Sequence, residues 1–114
     1  MKVQDIVESL GLAVLSPARS PDAEVTGGYA SDLLSDVIAR GRAGDVWITM
    51  QTHVNIVAVA SLKDLAAVVL VNGRAPDPET LAKAQQEKVT ILGSQMSAFE
   101  LAGRLYELGI RGSG

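Results

Sequence analysis

Cysteine is absent from this 114-residue chain, histidine occurs once, and aromatic residues are scarce. Without cysteine the chain can form neither a disulfide framework nor a thiolate metal site. A single histidine also lacks the partner ligands that a histidine-based metal site needs. We therefore expect no bound metal and no cofactor. Because only 4 % of residues are aromatic while 47 % are hydrophobic, the core must be built from aliphatic side chains.

Strong positive charge and long hydrophobic runs are missing as well. The formal net charge is −3, and no basic stripe is present to meet phosphates, which argues against nucleic-acid binding. No apolar run reaches the ~18 residues that a membrane span requires. The first residues alternate in polarity like a helix start and do not resemble a signal peptide. We expect a cytoplasmic protein that binds neither nucleic acid nor membrane.

Helical and strand patterns alternate along the chain. The predicted helices are 3–10, 29–40, 55–62, 78–87 and 97–109, and the predicted strands are 12–15, 24–28, 45–50, 67–71 and 89–92. The segment 55–62 suits a buried strand as well as a helix. We interpret it as a helix because it must connect two strands that we expect to be parallel. The alternation predicts a single α/β domain over 1–110, with three α/β/α layers, a mostly parallel sheet of about four to six strands, and a flexible tail at 111–114.

Two adjacent glycines, Gly27 and Gly28, stand between a predicted strand and a predicted helix. Such a junction lets the backbone approach a ligand closely, and the helix N-terminus behind it attracts anions. The other interpretation is a tight turn with close packing, because no lysine follows and no phosphate-binding loop motif occurs. Asp32 and Asp36, four residues apart, could chelate a cation or form a solvated acidic face, and either would repel an anion.

The loops after parallel strands share the carboxyl edge of a sheet, where open α/β sheets bind ligands. The candidate ligand-binding residues on these loops are Thr26, Gly27, Gly28, Gln51, His53, Asn55, Asn72 and Arg74. Arg74 could contact an anion or remain a surface arginine. We expect His53 to donate or accept a hydrogen bond, either in a helix cap or in a ligand pocket. The opposite edge is expected near Gly11 and Gly44.

Apolar side chains at helical spacing predict which helix faces are buried. On the helix 29–40 the expected buried face carries Leu33, Leu34, Val37 and Ile38. On the last helix, packing is expected for Phe99, Leu101, Leu105 and Tyr106. Trp47 lies in a predicted strand among apolar neighbours, so we expect it in the core or at an interface.

Val25-Thr26-Gly27-Gly28 followed by the segment 31–36 resembles the DRTGG domain family, as do 51–60 and 69–73. The likeness spans residues 3–110, although Glu24 and Val25 stand where the family has Asp and Arg. The resemblance implies an α/β/α domain similar to the N-terminal domain of HPr kinase/phosphatase, here as a stand-alone form. Such domains also accompany phosphotransacetylases and the CBS domains of some pyrophosphatases, where they are accessory or regulatory.

No catalytic constellation is visible in the sequence, so we expect that the protein is not an enzyme. Our first hypothesis is a non-catalytic regulatory or protein-interaction module with a possible protein partner. It is expected to be a homodimer because an aliphatic chain with only 20 % charged residues tends to hide apolar surface. The alternative is a binding domain for a nucleotide or other anionic metabolite at the carboxyl edge. A kinase-related enzyme is a third hypothesis, which would need a phosphate-binding lysine or an activated nucleophile.

Overall fold

A computed structural model of the chain describes residues 1–17 and 22–112. Its elements in chain order are α1 (Val3–Leu10), β1 (Ala13–Pro17), β2 (Gly27–Ala30), α2 (Leu34–Arg40), β3 (Asp45–Thr49), α3 (Asn55–Lys63), β4 (Ala67–Leu70), α4 (Pro78–Glu87), β5 (Thr90–Gly93) and α5 (Ala98–Glu107). Within these ranges, the five strands form one sheet in the order β1-β5-β4-β3-β2. Strands β2 to β5 are parallel, and β1 runs antiparallel to β5. The expected α/β fold with a mostly parallel sheet is confirmed.

Helices cover both faces of the sheet and make the fold three-layered. One face packs against α1 and α5, which bury side chains such as Ile6 and Leu101. The other face packs against α2, α3 and α4, which bury Val37, Val57 and Ala84. Because β2, β3 and β4 follow one another across the sheet in chain order, the crossover helices α2 and α3 lie on the same face.

The central strands are buried on both sides, as parallel strands between two helical layers must be. In β3, Val46 and Ile48 face the α1–α5 layer, while Trp47 between them faces the α2–α4 layer. In β4, Val69 likewise faces the α1–α5 layer and Val68 faces the α2–α4 layer. Trp47 is fully buried, so its expected place in the core is confirmed.

Several helix boundaries follow from local sequence. α1 ends at Leu10, and the next residue, Gly11, has a left-handed φ of 63° that suits a residue without a side chain. Pro78 occupies the first turn of α4, where its missing N–H has no intrahelical partner to lose. The Ser97 hydroxyl accepts a hydrogen bond from the Glu100 N–H at 3.3 Å and caps α5. The ambiguous segment 55–62 is helical, as expected, and buries Ile56, Val57, Val59 and Ala60.

The prediction for the glycine pair was wrong, because Gly27 and Gly28 begin a strand rather than lead into a helix. Tyr29 and the residue after it are paired with Trp47 and its neighbour in β3, which holds them in extended backbone. The carbonyl of Ser31 then accepts a hydrogen bond from the Trp47 indole N–H at 2.8 Å. Pairing with β3 therefore prevents residues 29–33 from joining the helix, and α2 begins only at Leu34.

Two of the expected buried helix faces are only partly buried. On α2, Val37 is buried, but Leu33 and Ile38 are 65 % and 42 % exposed. The helix begins five residues later than predicted and lies at the β2 side of the sheet, so fewer of its positions are covered. On α5, Leu101 and Leu105 are buried, whereas Phe99 and Tyr106 are 90 % and 59 % exposed.

The end of the described chain lies beside β2. The Gly28 N–H donates to the Arg111 carbonyl at 3.1 Å, and Gly28 forms a parallel bridge with Gly112. Half of the predicted tail, 111–112, thus lies along the edge strand. Residues 113–114 and 18–21 fall outside the described residues. None of the helices described is both long and apolar enough to cross a membrane.

Candidate functional site at the carboxyl edge of the sheet

The loops that follow the four parallel strands meet at one edge of the sheet, called here the carboxyl edge. The chain leaves β2, β3 and β4 towards the α2–α4 face, but it leaves β5 towards α5 on the opposite face. Connections that diverge from neighbouring strands create the crevice in which open α/β sheets bind ligands. In this fold the divergence falls between the loop 71–74 after β4 and the loop 94–96 after β5.

The loop after β4 is a tight turn that is hydrogen-bonded to the loop after β5. Asn72 and Gly73 both have left-handed φ angles, 58° and 65°, and the Arg74 N–H donates to the Val71 carbonyl at 3.2 Å. These features define a type I′ turn, for which Asn-Gly is a preferred sequence. The Asn72 N–H donates to the Met96 carbonyl at 2.9 Å. The backbone that carries Arg74 is therefore held firmly, while its side chain is exposed.

Side chains from three loops converge around this turn. The Gln95 amide lies directly over Gly73, since a Cβ placed on Gly73 would come within 2.7 Å of the Gln95 Oε1. The Asn72 Nδ2 lies 3.5 Å from the Met50 Sδ in the loop after β3. Gln95 was not among the predicted site residues. Its position in the polar loop after a parallel strand was the signal that could have found it.

His53 lies on the loop after β3, next to an acidic side chain. Its Nδ1 lies 3.5 Å from the Asp77 Oδ2, and the two side chains are 73 % and 48 % exposed. Asp77 follows His53 by 24 residues, so spacing along the chain did not indicate this neighbour. The Thr52 carbonyl explains the contact, because it accepts hydrogen bonds from the Thr80 hydroxyl at 2.7 Å and the Asp77 N–H at 3.2 Å.

Asp32 joins the loop after β2 to the loop after β3. Its Oδ1 accepts hydrogen bonds from the Thr49 hydroxyl at 2.8 Å and from the Met50 N–H at 2.7 Å. Its carbonyl accepts a third bond from the Gln51 Nε2 at 3.0 Å. Asp32 is exposed, as expected for a solvated acidic face, but its carboxylate is also part of the framework of this edge. The Gln51 amide belongs to the same hydrogen-bonded framework.

Asp36 has a different environment from Asp32. Its Oδ2 accepts a hydrogen bond from the Tyr29 hydroxyl at 2.6 Å, and its Oδ1 lies 3.6 Å from the Arg40 Nε. The hydrogen bond from Tyr29 favours the ionised carboxylate and lowers the pKa of Asp36, and Arg40 acts in the same direction. The same bond raises the pKa of the Tyr29 hydroxyl. The described residues contain no group of three or more acidic or histidine side chains arranged to hold a metal.

Thr26, Gly27 and Gly28 do not lie at the carboxyl edge, so their predicted placement was wrong. Gly27 is paired with Asp45, the first residue of β3, which puts all three at the opposite edge. There the Thr26 N–H donates to the Gly44 carbonyl at 3.0 Å. No helix follows Gly28, so no helix N-terminus supports an anion cradle at that point.

Gly11 was expected at the edge opposite the candidate site and lies instead at the carboxyl edge. The reason is the reversed direction of β1, whose first residue Ala13 is paired with Gly93, the last residue of β5. Asn55 begins α3 just behind this edge and lines a groove of about 440 Å³ between α3 and α4. Four of the eight predicted residues, Gln51, His53, Asn72 and Arg74, are thus brought to the carboxyl-edge loops.

Comparison with known proteins shows a likeness in structure without one in sequence. No protein-family model matches the chain, and no curated protein matches it. A solved structure of the CBS and DRTGG domains from the regulatory region of Clostridium perfringens pyrophosphatase, complexed with its activator diadenosine tetraphosphate, is similar at a TM-score of 0.72 and 12 % identity. The match covers 90 % of this chain and 44 % of that one, so this chain spans less than half of that structure.

Proposed function

We propose that this chain is a DRTGG-like, non-catalytic regulatory module that binds a nucleotide or another anionic metabolite at its carboxyl edge. The observation that carries this proposal is the shared fold with a pyrophosphatase regulatory region that binds a dinucleotide activator. A module of this kind acts by passing the occupancy of its site to a protein partner or to a second copy of itself. We include a homodimer in the proposal, because the surface displays large apolar side chains such as Phe99 and Tyr106.

The chemistry of the carboxyl edge suits an anionic ligand with polar substituents. Arg74 forms no ion pair within residues 1–17 and 22–112, and it is exposed next to a rigid turn. A guanidinium held by such a backbone can contact phosphate oxygens through two parallel hydrogen bonds. The amides of Gln95 and Asn72 beside it can donate to, or accept from, a base or a ribose hydroxyl.

The carboxylates at this edge do not neutralise the positive charge of Arg74. Asp32 is occupied by the Thr49 hydroxyl and the Met50 N–H, and Asp77 lies beside His53. His53 contributes as a hydrogen-bond partner of the ligand.

Isothermal titration with ATP and with diadenosine tetraphosphate tests the ligand part of this proposal. Removing one charge-assisted contact costs about 1.5–3 kcal/mol, so Arg74→Ala should raise the Kd roughly 10- to 100-fold. Arg42→Ala is the matched control, because Arg42 is also an exposed arginine but lies at the opposite edge. Equal weakening by both variants would indicate non-specific charge attraction, and absence of heat with either nucleotide would contradict the nucleotide assignment.

The absence of catalysis needs its own measurement. Phosphoryl transfer requires a phosphate cradle, a cation that neutralises charge and a positioned base. The pure protein should transfer no labelled γ-phosphate from ATP to itself, to peptide or to water. Transfer that a single substitution at the carboxyl edge abolishes would establish an enzyme and overturn the regulatory proposal.

A further inference from the structure

The outward face of α5 carries an apolar stripe that nothing in the described chain covers. Phe99 is 90 % exposed and Tyr106 is 59 % exposed, and Ala102 and Gly103 lie between them on the same side of the helix. A phenylalanine side chain is rarely so exposed to solvent on a helix. The two aromatic residues are seven positions apart, which separates them by about 10 Å along the helix axis.

No contact within residues 1–17 and 22–112 accounts for the glycine at position 103, in the middle of this stripe. No heavy atom lies within 4 Å of the position that its Cβ would occupy. Glycine in a helix interior destabilises the helix relative to alanine, so its presence calls for a compensating contact. Removal of a side chain at an exposed helix position permits another backbone to approach closely.

A shallow apolar groove of about 140 Å³ lies beside the far end of the same stripe. Its walls include Ala102, Leu105 and Tyr106 of α5, together with Tyr29 of β2 and Ile110. The Arg111 guanidinium lies 3.7 Å from the centre of the Tyr106 ring and donates to the Tyr106 carbonyl at 2.6 Å, which holds one rim of the groove in place. The protruding Phe99 and the groove thus lie on one surface, on either side of Gly103.

We propose that two copies of this chain pack through α5, with a two-fold axis that passes between the two helices beside Ala102 and Gly103. This inference rests on the homodimer proposed above and assigns its interface. The axis makes the two helices antiparallel, so Phe99 of each copy lies opposite Tyr106 of the other and enters the groove beside it. A two-fold interface needs a surface that is its own complement, and a protrusion and a groove equidistant from the axis meet that condition.

The charges flanking the stripe obey the same symmetry. Glu100 and Arg104 form an ion pair along α5, with 3.3 Å between Oε1 and Nε. They lie on one side of the stripe at nearly equal distances from the axis, so Glu100 of one copy faces Arg104 of the other. Complementary charges at the rim of an interface fix its register and orientation. This complementarity identifies a second copy of the chain, rather than an unrelated protein, as the occupant.

Sedimentation equilibrium of the intact chain and its variants tests the interface. Phe99→Asp should weaken the dimer by on the order of 30-fold or more, because a central aromatic anchor is replaced by a charge that must be desolvated. Leu62→Asp is the matched control, since Leu62 is 69 % exposed on α3 and should leave the dimer unchanged. Circular dichroism of both variants establishes that they are folded, as expected for substitutions at exposed positions.

A charge exchange tests the two-fold symmetry of the interface, and not only the tendency of α5 to associate with apolar surfaces. Glu100→Arg and Arg104→Glu should each be largely monomeric alone, because like charges then meet across the axis. Mixed together, the two variants should form a heterodimer in which every facing pair is again of opposite charge. Failure of the mixture to associate, with the wild-type chain a dimer, would overturn the proposed register.

The absence of cysteine permits a direct test of the axis. Gly103→Cys should give a disulfide-linked dimer under mild oxidation, since residues on a two-fold axis meet their own copies. Leu62→Cys should not. A wild-type chain that is monomeric at all accessible concentrations would refute the homodimer and the interface together. A dimer indifferent to Phe99→Asp and to Gly103→Cys oxidation would refute only the interface.

Discussion

Two aspartates four residues apart show how strongly single side chains depend on their surroundings. Asp32 accepts hydrogen bonds from the Thr49 hydroxyl and the Met50 N–H and so joins two loops, whereas Asp36 is bound to Tyr29 and Arg40. In the sequence both are acidic residues in one polar segment. Their partners come from other parts of the chain, which is why spacing alone assigned them a common role.

The pH dependence of stability should report the bond between Tyr29 and Asp36. The pKa of Asp36 is lowered in the folded chain, chiefly by that bond, so the contribution is present above the unfolded pKa. It is lost as the pH falls below ~4 and the carboxylate becomes protonated. At the alkaline end the pKa of Tyr29 is raised, so its contribution is present below pH ~10 and disappears as the hydroxyl ionises.

Urea denaturation across the acid range, together with carboxyl NMR titration, should show this behaviour. Tyr29→Phe should move the Asp36 pKa up towards its ordinary value and flatten the acid limb of the stability curve. Tyr106→Phe removes a hydroxyl from an exposed tyrosine and serves as the control. If both variants titrate like the wild-type chain, the bond does not set the pKa of Asp36.

At the level of elements, the turn between β4 and α4 is the part of the candidate site that local sequence dictates best. Asn-Gly prefers left-handed backbone at both positions, and Asn72 and Gly73 adopt it. The turn then gains two hydrogen bonds to the loop after β5, from the Asn72 and Gly73 N–H groups. A rigid connection of this kind can present Arg74 in one orientation without help from the ligand.

Gly73→Ala should destabilise the domain more than Gly11→Ala does. Both glycines have left-handed φ angles, 65° and 63°, but only Gly73 lies under the Gln95 amide. Alanine in this backbone region costs about 1–2 kcal/mol at either position. At Gly73 the new methyl group must also displace Gln95, so we expect roughly 1 kcal/mol of additional loss.

Denaturant unfolding of the two variants gives the comparison. The double variant Gly73→Ala/Gln95→Ala should recover the additional loss, because the crowded side chain is removed. Equal destabilisation by Gly73→Ala and Gly11→Ala, with no recovery in the double variant, would show that Gln95 does not press on the turn.

Considered as a whole, the molecule is a sheet that separates two apolar layers, with its polar loops gathered at one edge. Val46 and Ile48 of the central strand β3 pack into one helical layer and Trp47 packs into the other. A shift of this strand would therefore disturb both layers. A framework of this stiffness suits a module whose ligand loops must stay aligned. It also leaves the outer faces of α3 and α5 free to carry contacts with other chains.

Leu101→Ala tests whether the α1–α5 layer is essential to the whole domain. Leu101 is fully buried, so the truncation should lower the free energy of unfolding by about 2–5 kcal/mol. Leu62→Ala removes the same atoms from a side chain that is 69 % exposed, and it should change stability by less than about 0.5 kcal/mol. Differential scanning calorimetry should also show a single transition for Leu101→Ala. Two separated transitions would mean that the layers unfold independently.

The sequence by itself determined the features that depend on neighbours along the chain. The alternation of elements, the proline-initiated α4 and the Asn72–Gly73 turn all follow from periodicity, caps and backbone preferences. The same local signals identified Gln51, His53, Asn72 and Arg74 as carboxyl-edge residues, because they directly follow strands that were correctly predicted. Helices and turns are stabilised by hydrogen bonds a few residues apart, so a short window of sequence contains most of the information.

Only the tertiary structure decided the features that involve partners distant in the sequence. β2 displaced the first part of a predicted helix because Tyr29 pairs with Trp47, and this moved Gly27 and Gly28 to the other edge. Pairing with β5 likewise reversed β1 and placed Gly11 at the carboxyl edge, and the fold brought Asp77 to His53. Strand pairing and side-chain contacts join residues whose proximity arises from packing, and no local pattern encodes which pairs will meet.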